Sequence, residues 1–288
     1  MKALVLALIA AVCLCAPLIT RESTEELKRL VTWDVVDYED NIFKGWTTAE
    51  VKRMLGTRKH HEKARLIMSD SLSIPSAPEA FDAREKWPSC IHPVRNQGNC
   101  GSCWAFAATN QLSDRFCING KDLVLSPQYV IECDKDDDCC DGGYLDSSFN
   151  FLMKVGTVED KCLPYDMNCG RCREVNCVHY KCKSGSIRTY ESENEKVKEE
   201  IYNKGPIEGA FDVYRDFLSY RSGVYYHKTG ELLGGHAISV LGFGNEGGLK
   251  YWLCKNSWGQ GWGMSGYFKI KMGDCDIDTN MITCDPQL

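Results

Sequence analysis

QGNCGSCWAF, residues 97–106, sets Cys100 and Cys103 three apart at the mouth of an apolar run. Gly98 and Gly101 give this loop its tight turns, and Trp104 to Ala108 continue as a helix whose pattern buries it through a core. Thiols attack as thiolates, so a nucleophilic cysteine needs a helix N-terminus, a nearby imidazolium, or both. Cys103 opens the helix and stands at the positive end of its dipole. Cys100 lies in the loop before it and is free to form a disulfide.

An imidazole is then required, and six histidines compete. His60 and His61 fall in a charged N-terminal block, His92 in a loop, His179 among cysteines and His227 in a turn. His236 opens an apolar strand in GGHAISVLGFG, and Asn256 ends the next strand in KNSWGQGWG. Adjacent strands bring both to one sheet edge. Such a pair suits acid–base work, with the asparagine accepting the second ring N–H and so orienting the ring.

The 288 residues are 43% hydrophobic and 26% charged, enough for one large domain or two packed lobes. A net charge of -6 argues against binding to nucleic acid or to an anionic membrane, either of which wants a basic face. Met1-Lys2, the apolar run Ala3 to Ala11 and small residues through Ala16 read as a secretory signal peptide over 1–16, too short to span a bilayer. Of 17 cysteines, Cys13 and Cys15 leave with that leader, and the odd remainder, most of it between Cys90 and Cys182, implies an oxidising compartment and at least one free thiol. No metal site and no cofactor is expected, since Cys169-x-x-Cys172 in a secreted chain reads as disulfide-forming.

Residues 20–72 lack cysteine and carry helical patterns in ESTEELKRLVTW and TTAEVKRMLG, the latter started by Thr47 or Thr48 with Glu50. Pro75 and Pro78 then favour an extended linker, so 17–77 reads as a pro-segment and 78–288 as the mature chain. Helices are expected from Cys103, from Pro127 behind a Ser126 cap, and over Leu145 to Lys154. Ser192 with Glu195 predicts a capping box for a helix to Asn203, and strands follow at Ile207–Val213, His236–Phe243, Lys250–Asn256 and Tyr267–Lys271. A helical lobe over about 81–189 and a β-rich lobe over about 190–288 result, with the termini exchanged between them and a site in the cleft.

The segment QGNCGSCWAF, with His236 and Asn256 at 133 and 153 residues downstream, resembles the papain-like cysteine proteases, whose signature has this form and spacing. The resemblance implies an α+β, papain-like two-lobed fold, with a helical left lobe, a β-rich right lobe and a preceding pro-segment. It implies Cys103, His236 and Asn256 as the catalytic set, Gln97 as an oxyanion-hole donor beside the Cys103 backbone N–H, and Trp258 as a shield for the His236–Asn256 contact. Cys140-Asp-Gly-Gly-Tyr144 is similar to the family's Cys-Asn-Gly-Gly, in which Gly142 and Gly143 let substrate backbone approach. Asp141 stands in place of the asparagine. By the same resemblance Cys100 pairs with Cys140 and Cys90 with Cys117, while the remaining pairings stay open.

AFDAREKWPSC, YWLCKNSW and the run from Gly205 to Ile238 look like the cathepsin B branch. That likeness implies a short propeptide blocking the cleft, removed by cleavage near Ser73 to Ala80. Between Cys162 and Cys182, where cathepsin B carries an occluding loop with adjacent histidines, this chain is short and has His179 alone. We therefore expect no such loop and mainly endopeptidase activity. The pocket for the second residue before the cut would be walled by Tyr144, Leu145, Ala210 and Ala237. Asn280 stands where cathepsin B has a glutamate, so an apolar or small polar side chain is expected there. The expected partners are protein or peptide substrates, the propeptide itself, and cystatin-type or epoxide inhibitors, acting on a monomer in a lysosome- or vacuole-like compartment or outside the cell. A catalytically silent binding module of the same fold and a transpeptidase using the same site are the alternatives.

Overall fold

The computed structural model describes residues 17–58 and 76–288; the expected leader at 1–16, and His60 and His61, lie outside the described residues. The N-terminal segment contains α1 (Arg21–Leu30), β1 (Asp34–Val35) and α2 (Thr48–Met54). Local chemistry starts both helices. The Thr47 hydroxyl accepts from the Glu50 N–H while the Glu50 carboxylate accepts from the Thr47 N–H, and Thr20 and Ser23 close the same reciprocal box on α1.

Next come β2 (Phe81–Asp82), α3 (Ala83–Lys86), α4 (Cys103–Ile118), α5 (Pro127–Cys133) and α6 (Leu145–Lys154). Trp104, Leu112 and Phe116 of α4 pack with Val130 of α5 and with Phe149 and Leu152 of α6 into one apolar core. Every residue of α4 from Cys103 to Cys117 is buried, so this helix is the axis of the helical lobe. Pro127 occupies the first turn of α5, and the Ser126 hydroxyl accepts from the Tyr129 N–H at 3.1 Å.

The second half holds β3 (Arg188–Tyr190), α7 (Asn194–Lys204), β4 (Ile207–Tyr214), β5 (Tyr220–Ser222), β6 (Val224–Tyr225), β7 (Leu232–Glu246), β8 (Leu249–Lys255), β9 (Tyr267–Lys271) and β10 (Met281–Thr283). One sheet runs β3-β10-β4-β7-β8-β9-β6, with β2 added against β7, and only β6 pairs in parallel. The strand β7 is longer than its apolar run suggests, because pairing with β4 continues through Gly234 and Gly235 to Leu232. The Ser192–Glu195 capping box does not form. Ser192 adopts a left-handed backbone with φ 55° and donates its N–H to the Asp278 carbonyl, so α7 begins after Glu193 without a side-chain cap.

A second core joins the sheet to the N-terminal segment: Leu27, Trp33, Phe43, Val51 and Met54 pack with Phe217, Trp258 and Trp262. The segments at the two ends of residues 78–288 cross between lobes. Phe81 pairs with Phe243 of the β-rich lobe, while Cys284 is bonded to Cys182 and Pro286 pairs with Cys182. Disulfides also join Cys90 to Cys117, Cys100 to Cys140, Cys133 to Cys172, Cys139 to Cys169 and Cys162 to Cys177. Cys103, Cys254 and Cys275 are free thiols.

Candidate active site

Cys103 is the first residue of α4 and is fully buried. Its sulfur lies against the backbone N–H groups of Ala237, Trp104 and Gly56, and 3.3 Å from the Thr57 hydroxyl. Ala237 directly follows His236 on β7. The His236 Nε2 lies 2.7 Å from the Asn256 Oδ1, with Nε2 the proton-bearing nitrogen in that bond. His236 Nδ1 has no partner among the described residues. Trp258 covers the pair, its ring 4.8 Å from the imidazole.

Asn256 leaves β8 immediately after Lys255, and its Oδ1 also accepts the Ser257 N–H at 2.8 Å. Ser257 in turn donates its hydroxyl to Gln97 Oε1 at 2.6 Å, and its carbonyl accepts the Gln97 N–H. With its oxygen engaged, Gln97 must turn its amide N–H groups forward. They donate to the carbonyls of Met54 and Cys100, both at 2.8 Å. The Ser257 contribution carried no sequence signal beyond its place next to Asn256.

The N-terminal segment fills the cleft. Thr57 bridges Gly143 on one side and Gly235 on the other, with Gly143 donating to the Gly56 carbonyl at 2.8 Å and Arg58 donating to the Gly143 carbonyl at 2.9 Å. Approach this close needs glycine. A Cβ on Gly142 would stand 2.6 Å from the Gly56 carbonyl oxygen, and one on Gly56 would stand 1.7 Å from that of Gly101. A glycine directly after a capped helix was the available signal for this plug, and sequence reasoning passed over it.

Burial sets the electrostatics. It pushes the Cys103 thiol up, against the hydrogen bonds of Thr57 and the neighbouring N–H groups that favour the thiolate. It pulls His236 down to about 4, with the Asn256 bond working the other way. In the filled cleft burial therefore disfavours the charged form of both groups.

The other cleft residues converge. Ala210 and Ala237 face each other across β4 and β7, the Asn280 carbonyl accepts the Ala210 N–H at 2.9 Å, and Leu145 packs in the same cluster as the two alanines. Tyr144 precedes α6, its N–H held by Asp137 at 2.8 Å. His179 packs edge-on against Tyr129, its Nδ1 3.2 Å from the Val155 carbonyl. Cys169 and Cys172 belong to separate disulfides.

Residues 77–284 match the model of the papain family cysteine proteases. Cathepsin B-like CP3 of Giardia intestinalis is 36% identical over 96% of this chain and 97% of its own length. Cathepsin B of Dictyostelium discoideum is 35% identical over 87% of each. The fold is similar to that of proCathepsin B S9 from Trypanosoma congolense, with a TM-score of 0.86 at 28% identity, covering 94% of this chain and 99% of that one. Digestive procathepsin L2 from the Tenebrio molitor larval midgut superposes with a TM-score of 0.80 at 30% identity over 93% and 89% of the two chains.

Proposed function

Because the chain belongs to the papain family of cysteine proteases, and is cathepsin B-like within it, we propose that it is an endopeptidase made as a zymogen, with Cys103 as nucleophile. His236 takes the thiol proton to give a thiolate–imidazolium pair, and the thiolate attacks the scissile carbonyl. The oxyanion is held by the Gln97 amide and the Cys103 backbone N–H. His236 then protonates the leaving amine, and water resolves the thioester. Asn256 keeps the ring in register, and Trp258 keeps water from that bond.

The observation that supports this most directly is the set of bonds running Gln97–Ser257–Asn256–His236 beside a buried thiol at a helix start. Met54 offers its carbonyl to the Gln97 amide in the filled cleft, as a substrate carbonyl would. His179 lies against Tyr129 and Val155, which favours an endopeptidase over release of short C-terminal fragments. The disulfides fit the secretory route, with residues 1–16 as leader and 17–77 as propeptide. No described helix is long and apolar enough to cross a membrane.

The test is mass spectrometry of the processed protein after reaction with a peptidyl vinyl sulfone, with Cys103→Ala as control. A single adduct on Cys103 that abolishes peptide cleavage is expected. Adduct elsewhere, or none after removal of residues 17–77, would sink the reading and favour a silent binding module. Transfer of the acyl group to an added amine in preference to water would identify a transpeptidase.

A further inference from the structure

Cys139 and Cys140 are adjacent in the chain yet belong to different disulfides, Cys139–Cys169 and Cys100–Cys140. The two bonds meet. The sulfurs of Cys139, Cys140 and Cys169 all lie within 4.8 Å of one another, and the Cys140 N–H donates to the Cys169 sulfur at 3.4 Å. Cys139 also holds a left-handed backbone, φ 51°, which a residue bearing a Cβ adopts at a cost.

Exposure separates the two bonds. Cys169 is exposed, Cys139 and Cys140 are half-buried, and Cys100 is only 1% exposed. Exchange requires access to a sulfur, so a dissolved thiol meets Cys139–Cys169 first. The bond behind it reaches the site. Gly101 donates its N–H to the Cys140 carbonyl at 3.0 Å, and the Gln97 amide donates to the Cys100 carbonyl at 2.8 Å. Cys100–Cys140 therefore ties the loop that leads to Cys103 against the loop of Gly142 and Gly143.

We propose that Cys139–Cys169 is a thiol-modification site that relays exchange to Cys100–Cys140, its reactant a small thiol of the glutathione type. The small thiol loses its proton and attacks the Cys139 sulfur; a mixed disulfide forms there, and the electron pair of the broken bond leaves on Cys169. The Cys140 N–H stabilises that thiolate, whereas the Cys139 sulfur faces the Asn168 carbonyl at 3.9 Å, so Cys169 is the better leaving group. The Cys169 thiolate then attacks the Cys140 sulfur, forming Cys140–Cys169 and breaking Cys100–Cys140. Cys100 leaves with the electron pair and takes up one proton, equal to the one the small thiol lost. Two disulfides break and two form, so the relay needs no oxidant.

The experiment uses the full chain carrying Cys103→Ala, which keeps the Cys103 thiol out of the exchange. The protein is exposed to reduced glutathione, quenched with acid, alkylated and mapped by mass spectrometry without reduction. The expected species carries glutathione on Cys139, a Cys140–Cys169 bond and an alkylated Cys100, with Cys90–Cys117 and Cys182–Cys284 intact. Cys139→Ser combined with Cys169→Ser removes the relay and leaves no stray thiol, and Cys100 should then be released at least tenfold more slowly. Equal rates of release with and without the pair overturn the inference. So does glutathione on Cys139 or Cys169 while Cys100–Cys140 stays closed, and this map decides alone if the double variant fails to fold. The readout does not involve peptide cleavage, so it stands or falls separately from the proposed function.

Discussion

The hydroxyl of Thr57 lies 3.3 Å from the sulfur of Cys103. A side chain that contacts the proposed nucleophile therefore belongs to the chain's own N-terminal segment, which seals the cleft and removes the solvent that an ion pair requires. In the proposed zymogen, desolvation would add to obstruction in keeping the site latent. Burial raises the thiol and lowers the imidazole, so the sealed site disfavours charge separation.

The seal depends on Gly56. Its missing Cβ would stand 1.7 Å from the Gly101 carbonyl oxygen, so Gly56→Val cannot keep the segment in place. An overpacking cost of about 1–3 kcal/mol corresponds to roughly a 5- to 150-fold loss of occupancy. Cys103 in the unprocessed variant should react with a thiol reagent faster than in the wild-type precursor by that factor. Equal rates would show that the segment is held elsewhere.

Gln97 is oriented through its oxygen by Ser257 and presents its amide to the cleft. Gln97→Ala should lower kcat about 100- to 1,000-fold with little change in KM, as for loss of one oxyanion donor. Ser257→Ala leaves the amide in place but free to turn, and a smaller loss, about tenfold, is expected. Steady-state kinetics on one peptide amide distinguish the two. A Gln97→Ala defect confined to KM would place Gln97 in ground-state binding.

How legible this was depends on the range of each interaction. The helices at Thr47, Ser126 and Cys103 were readable because caps and apolar periodicity are local, and the papain-like fold followed from Cys103, His236 and Asn256 in order. The start of α7 was misread because Ser192 is claimed by Asp278, a partner 86 positions away. The plug at Gly56 and Thr57 depends on the glycines at 142, 143 and 235, which no local pattern links.

His92 predicts a pH dependence. Burial works against its protonation, but its hydrogen bonds to Asp114 at 2.8 Å and Asp122 at 3.0 Å outweigh that, and its pKa is raised above 6.5. A raised imidazole stabilises the fold fully below its unfolded pKa, and the contribution is lost as pH rises through the folded value. The same Asp114 pairs with the buried Lys255, next to Asn256, so the loss falls close to the site. His92→Gln should therefore cost about 1 kcal/mol more at pH 5.5 than at pH 8.5, or roughly 2–4 °C in melting temperature. Parallel melting curves at the two pH values would remove His92 from the account.

Asp137 holds the Tyr144 N–H from beneath Gly143, where an added Cβ would stand 2.7 Å from its carboxyl carbon. Burial first, and the charge of Asp134 next, push Asp137 up to about 7. The sign is opposite to that of a paired carboxylate: an acid raised in the folded state destabilises it as pH climbs from 3.8 towards 7, because the unfolded chain gives up its proton first. Asp134→Asn removes one charge from this pair, and an amide oxygen can still accept the Asp136 N–H that Asp134 holds at 3.1 Å. The variant should gain about 1 kcal/mol at pH 7.5 relative to its effect at pH 4.5. Urea unfolding of the processed protein at both pH values checks this, and a gain of equal size at the two would mean that Asp134 and Asp137 do not share their titration.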